Sequence, residues 1–368
     1  MQKILLLIAS LFYFNFLFSK NEIKSWQGIH ETPLSRLEQQ FAEPPVEFAN
    51  HVIWGWEGKM DKKTICNDLD SIKKKGFRAV IFEAGYKLPF KYLSEEWFKA
   101  IRTGVLEAKK RGMKVWIIDE GKYPSGFAGG KFSQERPDLR MQALVIGDTI
   151  QIKRGEVMTN HKIAPEIISA VAVSTSGAPN RTVAINNGEI SFNAGLDDWK
   201  ILLVKSDFRT AVTRAVNNPN GGKDATNSLC DYLNPVAVQQ FIDWTHEQYK
   251  KYLGKELGTT VLGFRGDEPD YAHLPWTPSI VQTFKDTKGY DPTPYLASFF
   301  TASPTIQEQR VKADYWDVWS SLFATHFFKL QADWCAANGV AHITHLNKEH
   351  EMPACVKAEG DYFRALSN

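Results

Sequence analysis

The residues best suited to chemistry are carboxylates and aromatic rings that recur just after short apolar runs. Five such ends read Trp54-Gly-Trp56-Glu57, Glu83-Ala-Gly-Tyr86, Asp119-Glu120-Gly-Lys-Tyr123-Pro-Ser-Gly126, Gly266-Asp267-Glu268-Pro269-Asp270 and His345-Leu-Asn347-Lys-Glu349-His350-Glu351. Cleavage of a glycosidic bond needs this inventory. One carboxylic acid is kept neutral to protonate the leaving oxygen, and a second carboxylate activates water or attacks the sugar. Asp267 and Asp270 flank Glu268 with like charge, which raises a carboxyl pKa and makes Glu268 the candidate general acid. Arg265 would oppose that shift if it shared the pocket, but strand alternation sends it to the side opposite Glu268. A single acid at a strand end is more often a helix cap or an ion-pair partner. Five ends of one chemistry point instead to a site, with Trp54, Trp56, Glu83, Asp119, Glu120, Tyr123, Asp267 and His345 as candidate sugar contacts. Tryptophan rings can stack on the C–H faces of sugars, although filling the core is their commoner use.

Other patterns point less sharply. Pro124-Ser-Gly-Phe-Ala-Gly-Gly130 is glycine-rich but lacks the spacing and the Lys-Ser/Thr ending of a phosphate-binding loop, so it reads as a tight turn beneath a substrate. His342, His345 and His350 with Glu349 and Glu351 contain no His-Glu-x-x-His, which disfavours zinc. An all-oxygen calcium site among the acids is better matched to the donors, with ligands that the sequence leaves unspecified.

Positioning these ends requires a repeating frame. Apolar runs at residues 51–56, 78–82, 114–118, 260–264 and 340–344 alternate with amphipathic stretches. Asp61 and Ser94 are placed to cap helices, Gly76 and Gly112 to end them, and Asn234-Pro235 to start another that runs through Tyr252. A long helix is expected from about Thr305 to Asn338. Near-continuous apolar strands between helices indicate a parallel sheet covered on both faces. The fold class is α/β, a (β/α)8-type TIM barrel with its catalytic groups at the C-terminal strand ends. Residues 143–216 break the rhythm with Val, Ile, Thr and Ser runs between turn pairs such as Asn187-Gly188, which reads as an inserted antiparallel β subdomain. Five barrel strands where eight are needed imply an incomplete, C-terminally truncated barrel.

The organisation expected is therefore a signal peptide at 1–19, a linker at 20–48, a first barrel part at 49–142, the β insertion at 143–216 and a second barrel part at 217–368. A basic start, the apolar run at 4–18 and a small residue after it carry the export reading, secreted or periplasmic, with no membrane association after cleavage. A net charge of +2 over 368 residues gives no basic face for nucleic acid. Four scattered cysteines form neither a disulfide framework nor a zinc motif.

At Trp54-Gly-Trp56, Asp119-Glu-Gly-Lys-Tyr-Pro-Ser-Gly-Phe-Ala-Gly-Gly130, Tyr232-Leu-Asn-Pro235, Gly266-Asp-Glu-Pro269, Trp334-Cys335, His350-Glu-Met-Pro353 and Glu359-Gly-Asp-Tyr-Phe363, the chain resembles glycoside hydrolase family 106, the α-L-rhamnosidase family. The likeness runs over most of the chain from about Ala49. It implies a calcium-dependent, inverting enzyme that releases L-rhamnose from plant cell-wall polysaccharide or glycosides, with Glu268 as general acid. The resemblance leaves the base as either one of Glu349, Glu351 and Glu359 or a residue beyond this chain's end, where family members continue.

Three readings stand at this point: an inverting α-L-rhamnosidase, a retaining β-galactosidase-like barrel glycosidase, and a truncated carbohydrate-binding protein without catalysis. The first two differ in carboxylate separation, about 6.5–9.5 Å against about 5–5.5 Å. Turnover of an aryl α-L-rhamnoside, lost on Glu268→Gln, excludes the third.

Overall fold

The structure is a computed structural model that describes residues 33–43, 50–121, 123–209, 213–214, 223–224, 228–269, 271 and 274–367. The expected signal peptide, most of the linker, Asp270 and nearly all of the Gly/Asn-rich stretch at 217–227 lie outside the described residues.

Five parallel strands form one sheet in sequence order: β1 (His51–Trp56), β2 (Ala79–Ala84), β3 (Lys114–Ile118), β4 (Val261–Asp267) and β5 (Ala341–His345). The register aligns Trp56 with Ala84, Ile118 with Arg265, and Asp267 with His345, so the C-terminal strand ends share one rim. Between strands run α1 (Lys62–Lys74), capped by Asp61, and α2 (Glu95–Lys110), capped by Ser94. Each cap side chain accepts an otherwise orphaned backbone N–H.

Alternation assigns the faces. Val52, Trp54, Trp56, Val80, Phe82, Val115, Ile117 and Phe264 pack with Ile65, Leu69, Trp97, Ile101 and Val105 of the helices in one core. The opposite face carries Ile53, Trp116, Arg265, Ile343 and His345, and there Ile53 is 49% and Ile343 39% exposed. The expectation of helices on both faces is thus corrected. Helices cover one face, and the other has the position of a barrel interior that the described strands do not close.

The antiparallel expectation for the middle of the chain matches the observed strands. Gln142–Ile152, Trp199–Phe208 and Ile167–Ser174 pair side by side, and Pro275–Trp276 adds to the outer edge of Gln142–Ile152. Leu144, Val171, Leu202 and Val204 share a core with Phe241, Tyr315 and Trp319, so this sheet is packed into the helical layer.

Two helix expectations change. The helix from Asn234 is broken into α3 (Pro235–Trp244) and α4 (His246–Leu253) at Thr245, whose hydroxyl donates to the Phe241 carbonyl at 2.7 Å. That back-bond competes with the regular ladder and bends the chain. The long helix starts in a capping box of Thr305 and Glu308 and runs as α5 (Ile306–Phe323). It passes through a π turn at Ala324–Phe328 into α6 (Lys329–Ala337). None of the helices of the described residues is long and apolar enough to cross a membrane.

Candidate active site

The ends of β4 and β5 build a connected polar cluster. Arg265 Nη1 donates to Asp267 Oδ1 at 3.0 Å, and the same carboxylate oxygen lies 3.1 Å from His345 Nδ1. On the far side of the ring, His345 Nε2 lies 3.0 Å from Glu349 Oε1. Glu268 Oε1 stands 3.6 Å from His345 Nδ1, and the Glu268 backbone N–H donates to the His345 carbonyl at 2.8 Å. One imidazole therefore touches Asp267 and Glu349 and stands beside Glu268. Partial burial alone would lower the His345 pKa, but its bonds to Asp267 and Glu349 outweigh that and hold it above the ordinary histidine value.

Glu268 has φ +43°, a left-handed conformation that a non-glycine residue adopts at a cost of roughly 1–3 kcal/mol. The turn breaks strand alternation at this residue. Asp267 and Glu268 consequently reach the same histidine, and Arg265 joins the cluster through Asp267. The expected separation of Arg265 from Glu268 is corrected on that ground. Alternation holds only while the backbone stays extended.

The loop after β3 is pinned from below. Glu120 is 1% exposed and accepts from the backbone N–H groups of Gly121, Ala128 and Gly129. Burial pushes its carboxyl up to about 8, against the pull of those donors. Its role as a sugar contact is corrected to that of a loop anchor, and the N–H groups that would cradle an anion are aimed at Glu120. Asp119 is fully buried and accepts from the Ser125 hydroxyl at 2.6 Å. Burial lifts Asp119 to about 7, with the Ser125 bond opposing and the Asp267 charge adding. Asp119 therefore does not reach a sugar directly, which corrects its expected role. Gly126 has φ +96°, and a Cβ there would sit 2.6 Å from the Tyr232 ring.

The remaining candidates separate by exposure. Trp56 is 0% exposed, with its ring centroid 4.9 Å from Phe82 and 5.7 Å from Trp97. Half-buried Trp54 packs 5.3 Å from Trp56. Both point to the helix side, so their expected role as sugar platforms is corrected to core packing. Trp116 was missed by the sequence reading. It lies half-buried on the open face against Gly263, where a Cβ would come within 2.5 Å of its ring. The signal was present, since Trp116 alternates with buried Val115 and Ile117. Glu83 and Tyr123 are half-buried.

Of the base candidates, Glu359 is 1% exposed and accepts from the Asn347 backbone N–H, which makes it an internal anchor and removes it as a base. Glu351 is exposed and lies 3.9 Å from His350. Glu349 alone joins the cluster. Among the described residues, no group of three or more His, Cys, Asp or Glu is arranged to hold a metal ion.

Comparison with known proteins agrees with this frame. The chain is similar to the solved rhamnosidase of Novosphingobium sp. PP1Y, with a TM-score of 0.64 and 15% identity over 92% of this chain and 49% of that one. That likeness is one of fold. It is also 23% identical over 360 residues to a Formosa agariphila protein named provisionally as a beta-glucuronidase, covering 83% of this chain and 30% of that protein. The chain thus spans about half of the one and under a third of the other. The glycoside hydrolase family 106 model, described as alpha-L-rhamnosidase, matches residues 160–360. With more than half of its residues inside that match, the chain belongs to glycoside hydrolase family 106, the alpha-L-rhamnosidase family.

Proposed function

We propose that the chain carries the acid–base pair of an exported, inverting glycoside hydrolase that acts on α-L-rhamnosides of plant cell-wall glycans. The observation that carries this reading is Glu268, held in a left-handed turn beside His345 with Glu349 on the opposite ring nitrogen. In this reading Glu268 gives its proton to the glycosidic oxygen as the bond to the sugar breaks. Glu349 takes a proton from the water that attacks the opposite face of the sugar. The imidazole stands between them, 3.6 Å from Glu268 Oε1 and 3.0 Å from Glu349 Oε1. His345 and the Asp267–Arg265 pair fix the geometry, and Trp116 offers an aromatic face on the open side of the sheet. Calcium, which the family resemblance implies, finds no cluster of three acidic or histidine ligands among the described residues, and no step here runs through it.

A second substrate class is favoured by the name of the Formosa agariphila relative, a β-glucuronide. The test is turnover of nitrophenyl α-L-rhamnoside and nitrophenyl β-glucuronide, with the product anomer followed by proton NMR. Release of rhamnose of inverted configuration supports the proposal. A retained anomer contradicts the inverting pair, and glucuronide turnover without rhamnoside turnover contradicts the sugar.

A further inference from the structure

We infer that Ser125, oriented by buried Asp119, is a positioning residue for Glu268. It clamps the peptide that carries the strained turn. The inference rests on Glu268 being the general acid.

A non-glycine residue keeps a left-handed backbone only where its surroundings over-determine it. The peptide that leads into Glu268 is held through both backbone groups of the preceding residue. The Ser125 N–H donates to the Asp267 carbonyl at 2.9 Å, and the Ser125 Oγ accepts from the Asp267 N–H at 2.7 Å. One serine thus holds both backbone groups of Asp267. Because its Oγ accepts from Asp267, the hydroxyl proton must point elsewhere, and it goes to Asp119 Oδ1 at 2.6 Å. Asp119 Oδ2 has no hydrogen-bond partner among the described residues, so the buried carboxyl serves the serine.

Gly266 has no side chain where a Cβ would lie 3.3 Å from Thr344 Oγ1, 3.5 Å from Asp119 Oδ2 and 3.6 Å from Ser125 Oγ. The Ser125 carbonyl accepts from the Tyr232 hydroxyl, and the Gly126 carbonyl accepts from the Cys230 N–H at 2.9 Å. The loop is therefore tied to the body of the protein on one side and to the acid-bearing strand on the other. A clamp of this kind acts on the acid, because an error of about 1 Å in a reacting group costs about a hundredfold in rate.

The test compares Ser125→Ala with the wild type on two rhamnosides. Phenyl rhamnoside needs a proton on its leaving oxygen, and dinitrophenyl rhamnoside does not. Ser125→Ala should lower kcat on the phenyl substrate by about 10- to 100-fold with KM nearly unchanged, and leave the dinitrophenyl rate near that of the wild type. Asp119→Ala removes the acceptor of the hydroxyl and should behave as Ser125→Ala. A crystal structure of Ser125→Ala should show Glu268 relaxed to negative φ. Equal loss on both substrates, or Glu268 unmoved in that crystal, overturns the clamp. Glu268→Gln run alongside separates the two ideas, since full phenyl rhamnoside turnover by that variant overturns the acid assignment itself.

Discussion

Glu268 and His345 are joined twice, through a backbone hydrogen bond of 2.8 Å from the Glu268 N–H to the His345 carbonyl and through a 3.6 Å approach of carboxylate to imidazole. The backbone bond ties the end of β4 to the end of β5, and the side-chain approach sets the charge around the acid. The side-chain approach depends on the left-handed turn at Glu268, because an extended residue there would project away from the ring.

His345 gains its proton affinity from Asp267 and Glu349. A folded-state pKa above the unfolded value stabilises fully below the unfolded value, and the gain is lost as pH rises through the folded value. The melting temperature of the wild type should therefore exceed that of His345→Gln most at about pH 6 and by less at about pH 9. A gap that widens with pH would contradict the bridge.

Asp231 is buried with its carboxyl pushed up to about 7, with hydrogen bonds from Thr277, the Leu233 N–H and Tyr271 pulling the other way. The unfolded chain releases that proton near pH 4. Between those values the folded state binds the extra proton, so this contribution to stability falls as pH rises from about 4 to about 7. Thermal melts should show Asp231→Asn gaining on the wild type across that window and holding a constant offset above it.

Trp56 and Trp116 should separate stability from binding. Trp56→Ala empties a core position and should cost about 3–5 kcal/mol in denaturant unfolding. Trp116→Ala should cost much less and raise KM for an aryl rhamnoside severalfold. The reverse pattern would place the sugar on the helix side of the sheet.

Gly263 lies where β4 meets β5, and a Cβ there would come within 2.2 Å of the Ala341 carbonyl oxygen. Gly263→Ala should therefore cost about 1–3 kcal/mol or more, since backbone must move to admit it. Chemical denaturation measures it directly. An unchanged midpoint would mean that the two strands separate without penalty.

Much of the frame was legible in the sequence. The apolar runs located all five parallel strands, and Asp61, Ser94, Asn234 and Thr305 marked helix starts because each cap chemistry is local. The phase of β1 was not legible. His51-Val-Ile-Trp-Gly-Trp56 carries apolar residues on both faces, so alternation alone does not say which way its tryptophans point. Glu120 looked like a rim acid because its donors, Ala128 and Gly129, reach it only after the loop folds back. The left-handed turn at Glu268 was equally hidden. It follows backbone bonds from Asp267 to Ser125 and from Glu268 to His345, both distant in sequence, and falls on a residue type that does not choose it.

The most direct test of the central claim is the rate at which Glu268→Gln hydrolyses phenyl α-L-rhamnoside relative to the wild type, in protein that melts at the wild-type temperature. General acid catalysis by Glu268 predicts a loss of about 10²–10⁴-fold. A variant that turns over the phenyl substrate at the wild-type rate would contradict it.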